Sequence, residues 1–252
     1  MPRHGESAAA GLVERGEPGM SLPTVILPGY FADAAPYREM EQALEGLGIW
    51  AKTVPLRRRD WVPTLGGRSM TPILEKLDAT VRQVQQETGG DRLNLVGHSA
   101  GGWIARIYLG EVPYQIHPSD AGKSCLWKAH PSVATLVTLG TPHISQERWT
   151  RRNLDFVKTH YPGAFYPQVR YVCVAGKAVY GQRRPGAWFA HSSYEMTCGV
   201  GGCWGDGITP IEAAHLEGAE NITLPDVVHS PRPGRLWYGS PEIVSQWARY
   251  LA

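Results

Sequence analysis

Leu93-Asn94-Leu95-Val96-Gly97-His98-Ser99-Ala100-Gly101-Gly102 carries the transition on which the fold turns. Four residues of a buried-strand type run into Gly-x-Ser-x-Gly, and Ile104, Ala105, Tyr108 and Leu109 then recur at helical spacing. A strand, a sharp turn and a helix are therefore predicted in immediate succession. In such a turn the serine sits at a strained backbone position, and small neighbours at Gly97 and Gly101 relieve crowding between strand and helix. The turn lifts the hydroxyl above the sheet. The helix that follows points its first amides and positive dipole end toward any charge developing beside it. The pentapeptide alone is short enough to arise by chance in a Gly-rich loop; the strand before it and the helix after it give it meaning.

Outward from this turn, short β-branched runs alternate with segments of helical period, the pattern that βαβ crossovers impose on a parallel sheet. Strands are expected at Thr24-Val25-Ile26-Leu27, from Ile49 to about Leu56, at Leu93-Asn94-Leu95-Val96, at 133–139, at 169–174 and around Ile222-Thr223-Leu224, giving a sheet of about six. Tyr37, Met40, Leu44 and Leu47 mark a first helix. Thr71 as N-cap and Pro72 at the first position open another, with Ile73, Leu74, Leu77, Val81 and Val84 along one stripe and Gly89-Gly90 at its end. Ser240 and Pro241 open the C-terminal helix. Two excursions, 143–167 and 177–204, are irregular and rich in aromatic residues, including Trp149, Phe156, Tyr161, Phe165, Tyr166, Tyr180, Trp188 and Phe189. They read as lid-like insertions whose rings either line a pocket or pack the insertions onto the core.

A serine hydroxyl is a weak nucleophile, so Ser99 needs a histidine base and a carboxylate that orients it. In this type of site the chain order is serine, acid, histidine. Of nine histidines, His229 follows the last expected strand and precedes the C-terminal helix, where a loop returns above the sheet. His215 competes, but Pro210-Ile211-Glu212-Ala213-Ala214-His215-Leu216 reads as helical. His143 lies at a strand end and precedes every acid considered; with Phe31 it is expected to line the substrate pocket. His98 is expected to pack within the elbow. For the acid, Asp206 lies between Gly205 and Gly207, which let the backbone turn tightly while the carboxylate points inward. Asp226, three residues before His229, is the alternative. The amide of Ala100, with that of Tyr30 from the loop after the first strand, is expected to hold the oxyanion.

The chain has 252 residues, 42% apolar and 19% charged, which suits one soluble globular domain over 21–252. No apolar run reaches membrane-spanning length. A net charge of +2 gives no argument for nucleic-acid binding. Residues 1–20 are expected to be a flexible tail, since Arg3, His4, Glu6, Glu14, Arg15 and Glu17 interrupt any signal-like apolar segment. Four cysteines without a CxxC pair argue against a disulfide framework or a zinc site, and a cytoplasmic setting is expected. Cys198 and Cys203 bracket a Gly-rich loop and are either free thiols or a bridge. Arg57-Arg58-Arg59 and Arg151-Arg152 are either a solvated charged face or a site of peripheral contact with anionic lipid. Nothing in the sequence indicates an oligomeric state.

Taken in order, Val25-Ile26-Leu27-Pro28-Gly29-Tyr30, Gly97-His98-Ser99-Ala100-Gly101, Gly205-Asp206-Gly207-Ile208-Thr209-Pro210 and His229 resemble the lipase/esterase branch of the α/β-hydrolases, over roughly Pro23 to Ala252. The Gly-Asp-Gly-Ile-Thr-Pro segment looks like the acid-bearing loop of lecithin:cholesterol acyltransferase-like and GPI-inositol-deacylase-like lipases. Leu139-Gly140-Thr141-Pro142-His143 is similar to their post-strand stretch. The sequence departs from them before the oxyanion residue, where such lipases often carry His-Gly and Pro28-Gly29 stands here. The resemblance implies an α/β-hydrolase fold with a mostly parallel sheet and helices on both faces. It also implies acyl-ester chemistry on a small-molecule or lipid ester, with neither metal nor organic cofactor. Transfer of the acyl group to an alcohol by the same residues, or a binding protein that keeps the fold without turnover, are the rival expectations.

Overall fold

In Thr24-Val25-Ile26-Leu27 every side chain is buried, and successive residues face opposite ways. Val25 and Leu27 join one apolar cluster while Ile26 joins another, as a strand covered on both sides requires. The computed structural model describes residues 21–122 and 124–251; the expected tail at 1–20 lies outside them. Along the chain run β1 (Thr24–Leu27), α1 (Arg38–Gly46), β2 (Ala51–Thr53), α2 (Thr71–Thr88), β3 (Leu93–His98), α3 (Ala100–Leu109), β4 (Val133–Leu139), α4 (Arg148–His160) and β5 (Arg170–Lys177). They are followed by β6 (Val179–Tyr180), α5 (Trp188–Cys198), β7 (Trp204–Gly205), α6 (Ile211–Ala214), β8 (Glu220–Pro225), β9 (Val227–Val228), β10 (Leu236–Trp237) and α7 (Pro241–Ala248).

Among the described residues, six strands form one parallel sheet in the order β2-β1-β3-β4-β5-β8. The order reverses direction at β1, so the chain winds helices onto both faces. On one face α2 and α3 pack through Ile73, Leu74, Leu77, Trp103 and Ile104 against Val25, Leu27 and Leu95. On the other, α1 and α7 bring Met40, Leu44, Val244 and Trp247 against Ile26, Val96 and Val137. Among the described residues no helix is long and apolar enough to cross a membrane.

Several boundaries differ from the sequence reading. The strand expected from Ile49 to Leu56 is paired only over Ala51–Thr53: the Val54 amide still donates to the Ile26 carbonyl, but the next donor from the β1 side would be Pro28, which has no N–H to continue the ladder. Leu47 lies beyond α1 and is half exposed. The N-cap of α2 is Met70, not Thr71, which occupies the first helical position; the Thr71 amide donates to Ser69 Oγ at 3.2 Å. Ser240 does stand at the N-cap of α7, yet its hydroxyl accepts the Trp237 amide instead of capping the helix. The two irregular excursions contain α4 and α5. α5, which buries only Ala190 and Tyr194, shows no stripe to a periodicity argument; α4 does carry an amphipathic pattern, burying Asn153, Leu154 and Val157 on one side, and the sequence reading left it unassigned.

Candidate active site

The last residue of β3 is His98, and the next backbone position turns sharply: Ser99 has φ 52° and ψ −124°, a conformation that side chains other than glycine's rarely adopt. Three glycines make the turn possible. A Cβ on Gly97 would stand 2.5 Å from Gly102 Cα, and one on Gly101 would stand 2.3 Å from the Leu27 carbonyl oxygen. A Cβ on Gly102 would meet Thr141 Oγ1 at 2.1 Å. The Ser99 amide donates to the Leu139 carbonyl at 2.8 Å, tying the turn to the end of β4.

Above the C-terminal edge of the sheet, the loops after β7 and β9 return to this serine. His229 Nε2 lies 3.0 Å from Ser99 Oγ, and His229 Nδ1 lies 2.7 Å from Asp206 Oδ2. The carboxylate is buried and receives four donors. Oδ1 accepts the amides of Ile208 at 2.9 Å and Thr209 at 2.7 Å; Oδ2 accepts the Tyr238 hydroxyl at 2.8 Å besides the imidazole. Burial by itself pushes this carboxyl up, but the adjacent His229 and the two amides outweigh it and hold Asp206 below the usual carboxylate range. An ionised acceptor at Oδ2 calls for hydrogen on Nδ1, which leaves the Nε2 lone pair facing the serine. The His229 amide also donates to the Asp206 carbonyl at 3.0 Å, so the two loops are joined through backbone as well. Tyr238 is itself fixed, its oxygen accepting the Gly176 amide at 2.8 Å.

His98 and Tyr37 form a second buried chain behind the serine. The Gly29 amide donates to the Tyr37 hydroxyl at 2.9 Å, and that hydroxyl lies 2.7 Å from His98 Nδ1. On its other side, His98 Nε2 lies 2.8 Å from the His229 carbonyl oxygen. Burial and the nearby His229 push His98 down to about 3, so its ring is neutral and carries one hydrogen. The carbonyl can only accept, which puts that hydrogen on Nε2 and makes Tyr37 the donor to Nδ1. One ordered chain thus links the Gly29 loop, the residue before Ser99 and the loop bearing His229.

A cleft of about 300 Å³ opens beside Ser99, bordered by Tyr30, Phe31, Tyr37, Arg58, His229 and Trp237 among others. Tyr30 and Phe31 sit in a turn closed by the Ala32 amide on the Gly29 carbonyl, with Phe31 at φ 58°. The Tyr30 amide donates to no protein acceptor among the described residues, and Ala100 opens α3, where amides lack intrahelical partners. Phe31 lines this cleft beside Ser99. His143 does not: it is buried at the end of β4, where its Nδ1 lies 3.2 Å from Arg106 Nη1 and its Nε2 faces Thr138 and Cys173. The buried guanidinium needs a neutral acceptor there, and burial with Arg106 holds His143 well below the usual histidine range. His215 bonds Thr223 at 3.2 Å, and Asp226 is an exposed turn residue at φ 59°. Neither joins Ser99.

None of the aromatic residues named in the two excursions lines the cleft. Tyr161 and Tyr166 are buried in the core, Phe156 packs against it, and Phe189 lines a neighbouring cavity with His229. Tyr37, Tyr238 and Trp237 are the site residues that sequence reasoning missed; Tyr37 reads in the sequence only as one mark of the first helix. Cys198 and Cys203 are free thiols, both donating to the Val200 carbonyl. Among the described residues, no group of three or more His, Cys, Asp or Glu side chains gathers as a metal site would require.

The parallel sheet, the helices on both faces and the strand-turn-helix at Ser99 make this an α/β-hydrolase fold. Among solved structures the chain is similar to the lipase BlEst2 of Bacillus licheniformis in its mature form. The TM-score is 0.58 at 19% identity, covering 95% of this chain and 93% of that one. It is also similar to the lin2722 gene product of Listeria innocua, with a TM-score of 0.51 at 14% identity over 92% and 95% of the two chains. At these identities the likeness is one of fold. The sequence matches no protein-family model, and no curated protein matches it.

Proposed function

We propose that the protein is a serine hydrolase of carboxylic esters, acting on acyl esters, lipid esters among them, through a covalent acyl-enzyme. In this reading Ser99 Oγ attacks the ester carbonyl while His229 Nε2 takes its proton, and the same nitrogen returns that proton to the departing alcohol. Asp206 keeps the imidazole in the tautomer with hydrogen on Nδ1 and stabilises the imidazolium as it forms. The amides of Tyr30 and Ala100 receive the oxyanion. Water, activated by His229, then releases the acid and restores the serine. The observation that carries the proposal is the series of contacts Ser99 Oγ to His229 Nε2 at 3.0 Å and His229 Nδ1 to Asp206 Oδ2 at 2.7 Å. The aromatic sides of the cleft, Tyr30, Phe31 and Trp237, favour an apolar acyl group. The motifs quoted above resemble those of lecithin:cholesterol acyltransferase-like and GPI-inositol-deacylase-like lipases and favour the same chemistry.

Two measurements test it. A fluorophosphonate probe should label the wild-type protein at Ser99 and leave Ser99→Ala unlabelled. Hydrolysis of p-nitrophenyl esters should fall by several orders of magnitude in Ser99→Ala and His229→Ala. Asp206→Asn should lose most activity, whereas Asp226→Asn should keep it. Wild-type turnover in Ser99→Ala would reject the mechanism.

A further inference from the structure

The loop Cys198-Gly199-Val200-Gly201-Gly202-Cys203 joins the end of α5 to β7, the strand that leads into the acid loop. At Gly199 the backbone is left-handed, with φ 83°, and the chain turns back as the helix ends. The turn brings two thiols to one acceptor: Cys198 Sγ donates to the Val200 carbonyl at 3.4 Å and Cys203 Sγ to the same oxygen at 3.3 Å. The thiols also act on each other, since burial and then the adjacent Cys198 push the Cys203 thiol up to about 11. The backbone between them is fixed by close packing. A Cβ on Gly201 would stand 2.4 Å from His191 Cε1, one on Gly181 would stand 2.1 Å from the Gly201 carbonyl oxygen, and the Gly181 amide donates to the Cys203 carbonyl at 2.9 Å.

Access singles out this pair. Cys125 and Cys173 are 1% and 0% exposed, whereas Cys198 and Cys203 are half-buried. Cys198 also lines a cavity of about 540 Å³ that carries Arg151 and Lys158, so a small molecule can reach its sulfur and carboxylates on that molecule meet two cations. Cys203, held protonated at neutral pH, is a poor first attacker but stands beside any sulfur attached to Cys198. The position in the fold gives a bond between the two its meaning. Cys203 lies three residues before Asp206, and α5 already holds the acid loop: Ser193 Oγ donates to the Ile208 carbonyl at 2.6 Å, and the Gly207 amide donates to the Tyr194 hydroxyl at 2.8 Å. A covalent link from the end of α5 to Cys203 adds a third tie in the same direction.

We propose that Cys198 and Cys203 are a modification site, a reversible dithiol that reacts with small carboxylate-bearing disulfides and, once bridged, straps α5 to the acid loop. Cys198, as its thiolate, attacks one sulfur of the small disulfide, forming a mixed disulfide and expelling one thiolate. Cys203 then gives up its proton and attacks the Cys198 sulfur, which closes the intramolecular bond and expels the second thiol. The two cysteines lose two electrons and two protons between them, and both leave on two molecules of reduced small thiol. The proposal is independent of the ester-hydrolase reading, because it needs no turnover at Ser99.

The test exposes the full-length protein to oxidised glutathione, a tripeptide disulfide bearing carboxylates, and then alkylates the remaining thiols after denaturation. The reduced protein should be alkylated at all four cysteines and the oxidised protein only at Cys125 and Cys173, with peptide mapping placing the bridge between Cys198 and Cys203. Cys203→Ser should retain a glutathione adduct on Cys198, whereas Cys198→Ser should take up far less. Closing a loop of this length should raise Tm by about 4–8 °C over the protein reduced with dithiothreitol, and Cys198→Ser should show no such rise. Four alkylatable thiols after oxidation, a lasting adduct on Cys198 of the wild type, or a bridge with no rise in Tm would each overturn the proposal. None of these results bears on whether Ser99 is a nucleophile, which the fluorophosphonate probe reads separately.

Discussion

The Tyr37 hydroxyl has one hydrogen, and its neighbours determine where it goes. With the Gly29 amide donating to it and a neutral His98 behind it, the hydroxyl must donate to His98 Nδ1, and His98 must donate to the His229 carbonyl. Tyr37→Phe removes the link and leaves a buried amide and a buried ring nitrogen unpaired, at about 1–3 kcal/mol each. Since the loop of Tyr30 hangs from Gly29, kcat is expected to fall roughly tenfold with KM changed much less; steady-state kinetics with an unaltered kcat would show that the chain has no part in positioning. The same histidine sets a pH dependence of stability. Its folded value is depressed to about 3, so between pH 6.5 and 3 only the unfolded chain takes up its proton, and stability falls as pH falls through that window. Asp206, also depressed, contributes above the ordinary carboxylate range and is lost below it. Urea midpoints measured from pH 7 to 4 should therefore decline, and His98→Asn should flatten the slope, with His143 supplying part of what remains. Ser99 offers a further test. Glycine tolerates φ 52° without strain, so Ser99→Gly should be inert and yet melt higher than the wild type, by about 1 kcal/mol in stability. Ser99, Asp206 and His229 could be chosen from the sequence because chain order and turn chemistry restrict them. Tyr37 and Tyr238 could not, since a tyrosine at helical spacing or after a short strand gives no sign of where its hydroxyl points.

The elbow, as an element, is held by close backbone approach. Gly101→Ala would drive a Cβ to 2.3 Å from the Leu27 carbonyl, a contact with backbone that cannot swing away. Overpacking of this kind typically costs about 1–3 kcal/mol, and thermal unfolding of Gly101→Ala should show at least that loss. Gly46→Ala is the matched control: a Cβ there meets nothing within 4 Å, and alanine's helix propensity should make the change neutral or stabilising by up to about 1 kcal/mol. Equal behaviour of the two variants would contradict this account of the turn. The strands and helices of the central unit were legible because both faces of the sheet are covered, which leaves near-continuous apolar runs such as 133–139. The helix α5 was not legible, since it buries too little to show a stripe, whereas α4 carries an amphipathic pattern, Leu154 and Val157 buried and Arg148, Arg151, Arg152 and Lys158 exposed, that the sequence reading did not use.

Across the whole molecule, two apolar clusters lie on opposite faces of one sheet and share its strands, so neither persists without it. Unfolding in urea followed by tryptophan fluorescence and by loss of the proposed ester hydrolysis should give coincident curves; separated transitions would divide the chain into two units. The two ends of the sheet carry a last consequence. At one margin β2 offers only three residues, and at the other β8 carries Glu220, paired with Arg170 at 2.8 Å, and ends at Pro225, which has no N–H. Neither margin offers a long, flat row of free amides and carbonyls to a second molecule. A protein built around a sheet of this kind should resist fibril seeding and domain exchange while folded, with any tendency to aggregate arising from opened chains.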